Sequence, residues 1–126
     1  MLPAGNRLRR APDFAAAVRG GRRAGRNSLV LHLRTPETPA PGGPGPPRVG
    51  LVVGRSVGPA VTRNRVKRRL REVLRPRLAD LPAGSVLVVR ALPPAALAGS
   101  AALAADVEAG LARLVPRGPR KSGLRP

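Results

Sequence analysis

A strand, a helix and a second strand follow one another between residues 48 and 91 and decide the fold: RVGLVVG at 48–54, AVTRNRVKRRLREVLRPRLA at 60–79 and SVLVVRA at 85–91. The short apolar runs are typical of buried strands, which need cover on both faces. In the helix, apolar side chains recur at helical spacing, at Val66, Leu70, Val73 and Leu74. We therefore predict that this stripe packs on a sheet and that Pro76 breaks or kinks the last turn.

Two further elements are predicted upstream. Proline and an acid in a first turn favour a short helix from Pro12 to Gly20, which places Phe14 and Val18 on one face. A strand from Asn27 to Arg34 follows, with three leucines on one face and Val30, His32 and Arg34 on the other.

A final helix is predicted from Ser100, as its N-cap, to Val115, with an apolar stripe of Leu103, Val107, Leu111 and Leu114. The domain organisation is then a basic arm at 1–11, one folded domain at 12–115 and a basic tail at 116–126 that stays disordered until it meets RNA. A flexible loop rich in proline and glycine interrupts the domain at 36–47.

The charge balance points to a polyanionic partner. The chain has 126 residues, with 24 lysines plus arginines against 6 acids, and a formal net charge of +18. A compact domain tolerates this self-repulsion best when phosphates neutralise it, so nucleic acid is the natural partner, although a GC-rich genome also enriches arginine. The chain has no cysteine, no apolar targeting segment after Met1 and no long apolar run, so we expect a cytoplasmic protein without disulfides, zinc fingers or membrane spans.

The predicted helix 60–79 concentrates this charge. Its basic residues fall into rows at helical spacing, with Asn64, Arg68, Arg71 and Arg75 in one row and only Glu72 to offset them. An ordinary solvated face normally mixes both signs, because like charges four residues apart cost a few tenths of a kcal/mol per pair. The imbalance therefore favours a surface that binds phosphates over an ordinary solvated face.

The same region resembles a known family. The string Val57-Gly58-Pro59-Ala60-Val61-Thr62-Arg63-Asn64-Arg65-Val66-Lys67-Arg68, after Arg48-Val49-Gly50-Leu51, is similar to the signature of the bacterial ribonuclease P protein subunit. The similarity includes Asn6-Arg7-Leu8-Arg9-Arg10, Asp13-Phe14 and Gly21, and spans most of residues 6–92.

The resemblance implies an α+β fold: one small domain in which a central, mostly four-stranded sheet packs with about three helices in the order α-β-β-β-α-β-α, with a left-handed βαβ crossover. It also implies a subunit of an endoribonuclease that removes the 5′ leader of precursor tRNA. The partners would be the ribonuclease P catalytic RNA and the single-stranded leader, with no membrane or DNA partner. Catalysis and most of the Mg²⁺ binding would belong to the RNA, and this chain would hold no catalytic group.

The resemblance also assigns residues to two sites. The RNA-binding set is Arg63, Asn64, Arg65, Lys67, Arg68, Arg69 and Arg71 on the helix, with Arg9, Arg10 and Arg55. The leader-binding set lies in a cleft between the sheet, the first helix and the central helix, and comprises Phe14, Val18, His32, Arg34, Lys67 and Arg71.

This chain departs from the family pattern in that cleft. Val18 and His32 stand where the family commonly has aromatic rings, so we expect thinner base stacking and a larger electrostatic share. Pro59 and the turn Gly54-Arg55-Ser56 also differ from the usual residues, so we expect contacts from this turn to differ from those of the family. For Phe14, packing against the sheet is as good a reading as ligand contact, and His32 is expected to be a half-exposed, neutral strand residue.

Other functions fit less of the sequence. A ribosomal or nucleoid protein would share the charge and size, but not the continuous motif. A self-sufficient enzyme would need a catalytic constellation, and the triad that can be written, Ser56, His32 and Asp80, has no supporting motif. A membrane-surface helix would need aromatic anchors that helix 60–79 lacks.

Overall fold

The computed structural model describes residues 11–35 and 45–115, with the backbone alone for 11–13. The rest of the expected basic arm with Arg9 and Arg10, most of the loop 36–47 and the tail 116–126 lie outside the described residues. The elements in chain order are α1 (Ala11–Gly20), β1 (Arg22–Gly25), β2 (Leu29–Arg34), β3 (Arg48–Val52), α2 (Ala60–Leu74), a 3-10 helix (Arg75–Asp80), β4 (Val86–Ala91), a second 3-10 helix (Pro93–Ala96) and α3 (Ser100–Leu114).

The four strands form one mixed sheet in the order β1-β2-β4-β3. Strand β2 pairs antiparallel with β1 and β4, whereas β3 pairs parallel with β4, and α2 makes the crossover between them. The element order α-β-β-β-α-β-α confirms the predicted α+β class. The left-handedness of the crossover from β3 through α2 to β4 stays a prediction.

One sheet face carries the main core and is covered by α2 and α3; we call it the helical face. Leu29, Leu31 and Leu33 are buried there, as their alternation predicts. They share one cluster with the α2 stripe Val66, Leu70, Val73 and Leu74, and with the α3 stripe Leu103, Val107, Leu111 and Leu114. Both helix stripes predicted from spacing are therefore confirmed as core.

The opposite face is covered in part by α1, and we call it the α1 face. Ala17 packs there on Val86 and Val88 of β4, with Phe14 partly buried at the edge of the cluster. Strand β4 is thus covered on both sides, which explains its continuous apolar run. The packing reading of Phe14 is confirmed, and it leaves a ligand role untested.

Two local expectations were wrong, and one strand was not located from its own residues. The element order implied by the resemblance includes three strands before α2, but the sequence of β1, Arg-Arg-Ala-Gly, carries no apolar alternation and buries only Ala24. Ser100 is the first helical residue rather than the N-cap, a position that Gly99 holds without a side-chain cap. His32 is buried rather than half-exposed, because α1 covers its sheet face.

The end of α2 agrees with its sequence. The helix stops at Leu74, and the chain continues through Pro76 as a 3-10 helix, since proline cannot supply the N–H that an α-helix requires. No helix in the described part of the chain is long and apolar enough to cross a membrane.

Candidate nucleic-acid interface

Burial of the apolar stripe fixes which side of α2 faces outward. Asn64, Arg68 and Arg75 are exposed on the side opposite the core. Arg65 is half-buried on one flank, and Lys67 and Arg71 are half-buried on the other. We call these six residues the basic surface of α2. Five of them lie on α2 and Arg75 on the 3-10 helix that continues it, an arrangement that suits the recognition of a structured polyanion.

The basic surface of α2 is not neutralised by the protein itself. Within residues 11–35 and 45–115, no carboxylate forms an ion pair with a basic side chain of α2; the pair the structure shows nearby is Arg77 with Glu108. Glu72 is exposed beside the basic rows without such a contact. The repulsion therefore persists in the free chain, and bound phosphates would relieve it.

Two arginines assigned to RNA binding by resemblance are engaged elsewhere in the fold. The Arg63 Nε donates to the Gly58 carbonyl oxygen at 3.1 Å, across the start of α2. The Arg69 Nη1 donates to the Ala98 carbonyl oxygen at 2.9 Å, in the turn before α3. Arg55, in the turn after β3, is exposed.

A second basic surface lies on the α1 face of the sheet. The register places Arg23 opposite His32, Arg34 and Arg48 on either side of Val86, and Arg90 between Val30 and Val52. None of the four strands in the described residues contains an acid. We call Arg23, Arg34, Arg48 and Arg90 the arginine set of the α1 face. Of these, sequence reasoning named Arg34 alone as a site residue; strand alternation could have found Arg90, but Arg23 needed β1 and its register.

His32 lies at the centre of this face, 5% exposed, with no hydrogen-bond partner at either ring nitrogen. Burial lowers the pKa of its imidazole below the ordinary 6.5, and the charges of Arg23 and Arg90 lower it further. The ring is therefore neutral at pH 7. It contributes shape and an uncharged surface to this face, not a phosphate-binding charge.

The residues predicted to share a leader cleft come from two layers. Phe14, His32 and Arg34 lie on the α1 face, and Val18 is 42% exposed on α1 itself. Lys67 and Arg71 belong to α2, which packs on the helical face. The expected cleft bounded by all three elements is thus divided by the sheet, because α1 and α2 cover opposite sides of it.

The alternative catalytic triad is not assembled. Ser56 is exposed in the turn after β3, whereas His32 is buried under α1 with both ring nitrogens unpaired. No Ser–His or His–Asp hydrogen bond therefore exists. Among the described residues there is also no cluster of three or more His, Cys, Asp or Glu side chains that could hold a metal ion.

The chain forms a small α+β domain, and its two basic surfaces suit the binding of a polyanion. The chain belongs to the ribonuclease P protein family, since the family model described as Ribonuclease P matches residues 2–115. The "Ribonuclease P protein component" of Streptomyces avermitilis is 58% identical over 123 residues, covering 95% of this chain and 100% of the relative. That of Thermobifida fusca is 54% identical over 121 residues, covering 94% and 82%.

Solved structures agree on the fold. The RNase P protein of Staphylococcus aureus superposes with a TM-score of 0.71 at 21% identity, covering 88% of this chain and 98% of that one. The RNase P protein of Thermotoga maritima gives a TM-score of 0.67 at 25% identity, covering 89% and 98%. The family assignment made from the motif is confirmed by the family-model match and the relatives above, and it implies an RNA partner.

Proposed function

We propose that this chain is the cytoplasmic protein subunit of ribonuclease P, which binds the catalytic RNA and the single-stranded 5′ leader of precursor tRNA. The RNA would perform the Mg²⁺-dependent hydrolysis that frees the mature 5′ end. The observation that carries the proposal is the basic surface of α2, held on a buried stripe and unneutralised by any described carboxylate. No membrane or DNA partner is part of the proposal.

The basic surface of α2 is the proposed contact with the catalytic RNA. Arg68 and Arg75 point away from the core, where a planar guanidinium can donate two hydrogen bonds to one phosphate. The helix is anchored through Val66 and Leu70, both 0% exposed, so its charges are presented at fixed spacing. Such contacts set the register of the protein on the RNA.

The α1 face is the proposed contact with the leader. A single-stranded backbone can follow the arginine set of the α1 face, while bases stack on exposed side chains. The chain has one Phe and no Tyr or Trp. That residue, Phe14, is already partly buried against β4. Leader binding should therefore depend mainly on phosphate contacts and tolerate changes of leader sequence.

Mg²⁺ is assigned to the RNA partner. On α2 the neutral side-chain oxygens are those of Thr62 and Asn64, and the cationic side chains around them would repel a divalent ion. What the chain supplies is positive charge that screens RNA phosphates, so the RNA and its substrate associate with less Mg²⁺. When bound to the RNA, the metal would supply the activated water and stabilise the leaving oxygen.

A reconstitution tests this function. The full chain is mixed with the catalytic RNA and a precursor tRNA at low Mg²⁺, and cleavage at the mature 5′ end is followed. We expect clear stimulation over the RNA alone, and a smaller effect on a precursor whose leader is shortened to one nucleotide. A chain that binds the RNA without stimulating cleavage would instead fit a ribosomal or other structural RNA-binding protein.

The double variant Arg65→Ala/Arg68→Ala tests the contact surface. If both side chains hold phosphates, the slope of log affinity against log salt flattens by up to about two units. Arg113→Ala is the control, because Arg113 is an exposed arginine on α3. An unchanged slope in the double variant would place the RNA footprint on another surface.

A further inference from the structure

We propose that Arg69 is a positioning residue: it holds α2 against the turn before α3, and so sets the orientation in which the basic surface of α2 meets the RNA, without contacting phosphate itself. The proposal rests on the RNA-binding function proposed above. It also removes Arg69 from the set of RNA contacts that the family motif suggests.

The contact that carries the proposal joins distant parts of the chain. The Arg69 side chain is half-buried, and its Nη1 lies 2.9 Å from the Ala98 carbonyl oxygen, 29 residues away. That carbonyl lies between the second 3-10 helix and α3, next to Gly99, which caps α3 without a side-chain hydrogen bond. A guanidinium donating to a carbonyl makes a charge-assisted hydrogen bond, stronger than a neutral one.

Neighbouring arginines on α2 are separated by the helical turn. Consecutive residues point about 100° apart, so Arg68 is exposed opposite the core while Arg69 lies on the flank that faces α3. Arg77, eight residues beyond Arg69, makes a second side-chain contact toward α3, this time with the helix itself. It donates to the Glu108 carboxylate and to the Val73 carbonyl oxygen, both at 2.5 Å.

The hydrogen bonds of Arg69 and Arg77 constrain the orientation of α2 more closely than apolar packing does. Burial of Leu70 and Val66 fixes which side of α2 faces the sheet, but the hydrophobic effect is non-directional and defines the exact rotation about the helix axis less closely than a hydrogen bond does. A hydrogen bond is directional, and so is a guanidinium–phosphate contact, which requires donor and acceptor within a narrow range of distance and angle. Fixing the rotation of α2 therefore lowers the cost of orienting the outward residues toward phosphates, without changing how many phosphates they contact.

The test compares Arg69→Met with Arg68→Met, which remove the same charge from adjacent positions of one helix. Affinity for the catalytic RNA is measured across a range of salt concentrations, well below the melting temperature of every protein compared. For Arg69→Met we expect about threefold to tenfold weaker binding at every salt concentration, with the slope unchanged. For Arg68→Met we expect the slope to fall by about 0.7 to 0.9, the loss of one phosphate contact.

Two results would overturn the proposal. A lower slope for Arg69→Met would make Arg69 a phosphate contact, and a lower melting temperature with unchanged affinity would make it merely structural. If the wild-type chain does not bind the RNA at all, the proposed function itself fails, which is a separate outcome.

A footprint on the wild-type chain gives a second measurement that needs no variant. With an arginine-directed dicarbonyl reagent and mass spectrometry, Arg69 should react slowly both with and without the RNA. Arg68 should react readily in the free chain and become protected in the complex. An Arg69 that reacts as fast as Arg68 and is protected only by RNA would contradict the assignment.

Discussion

At the scale of single residues, Gly21 shows how close α1 approaches the sheet. A Cβ at this position would lie 2.5 Å from the Ala17 carbonyl oxygen and 2.7 Å from that of Leu33. Both neighbours are backbone atoms of regular elements and cannot move aside cheaply. The glycine that the family motif includes is thus required by packing between α1 and β2.

We expect Gly21→Ala to lower the free energy of unfolding by about 1–3 kcal/mol, because the added methyl group overpacks two carbonyls. Gly20→Ala is the matched control, since a Cβ there meets nothing within 4 Å. Urea unfolding of both variants measures the difference. Equal stability of the two would show that α1 shifts freely on the sheet.

His32 is the residue whose burial the sequence did not indicate, and it predicts a pH dependence. In the unfolded chain its pKa is near the ordinary 6.5, and in the folded chain burial and the nearby arginines lower it. Between these values the unfolded state binds a proton that the folded state does not. The contribution to stability is therefore complete above about pH 6.5 and is lost as pH falls toward the folded pKa.

His32→Leu removes this titration and places an apolar side chain at the same buried position of the α1 face. Between about pH 7.5 and about pH 5.5, we expect the wild type to lose more melting temperature than the variant does, because only the wild type carries the histidine. Thermal melts across this range measure it, and the comparison cancels the carboxylates that both proteins share. His32 is the single histidine of the chain, so no other imidazole contributes. A constant difference would mean that the folded pKa is not lowered.

At the scale of elements, α2 combines two roles on opposite sides. Its inner side is predictable from spacing, because the four apolar residues of the stripe recur with the helical period and are all buried. Its outer side is predictable as basic from composition. The flank that faces α3 was not predictable, because the acceptor for Arg69 is a backbone carbonyl with no sequence signature.

We expect Leu70→Ala to cost about 2–5 kcal/mol in unfolding free energy, because Leu70 is 0% exposed within the main cluster. Val61→Ala, on the same helix at 75% exposure, should change stability by less than about 0.5 kcal/mol. Denaturant titration of the free chain distinguishes the two. Similar losses for both would mean that α2 is not anchored through its stripe.

At the scale of the whole molecule, the net charge of +18 acts on stability as well as on binding. The described core is aliphatic apart from Phe14, and it must hold together against self-repulsion that salt screens. The same screening weakens the attraction to RNA. Free stability and RNA affinity should therefore respond to salt with opposite signs.

We expect the melting temperature of the free chain to rise by several degrees when NaCl is raised from about 0.02 M to about 0.5 M, as the Debye length shortens. Sucrose at equal osmolality is the control, because it does not screen charge. A melting temperature that is insensitive to NaCl would show that the fold is not limited by repulsion among its arginines.

The sequence by itself determined the helices and strands whose apolar residues recur with a regular spacing, and also the basic helix and the family. Each of these is recognised from residues that are close together along the chain. The order of the sheet, the pairing of Arg23 with His32 and the tie from Arg69 to Ala98 were decided by tertiary structure alone. So was the separation of Phe14 and His32 from Lys67 and Arg71 into different layers. The physical reason is that strand register and helix docking depend on contacts between residues far apart in the chain, which leave no periodic signal in either partner.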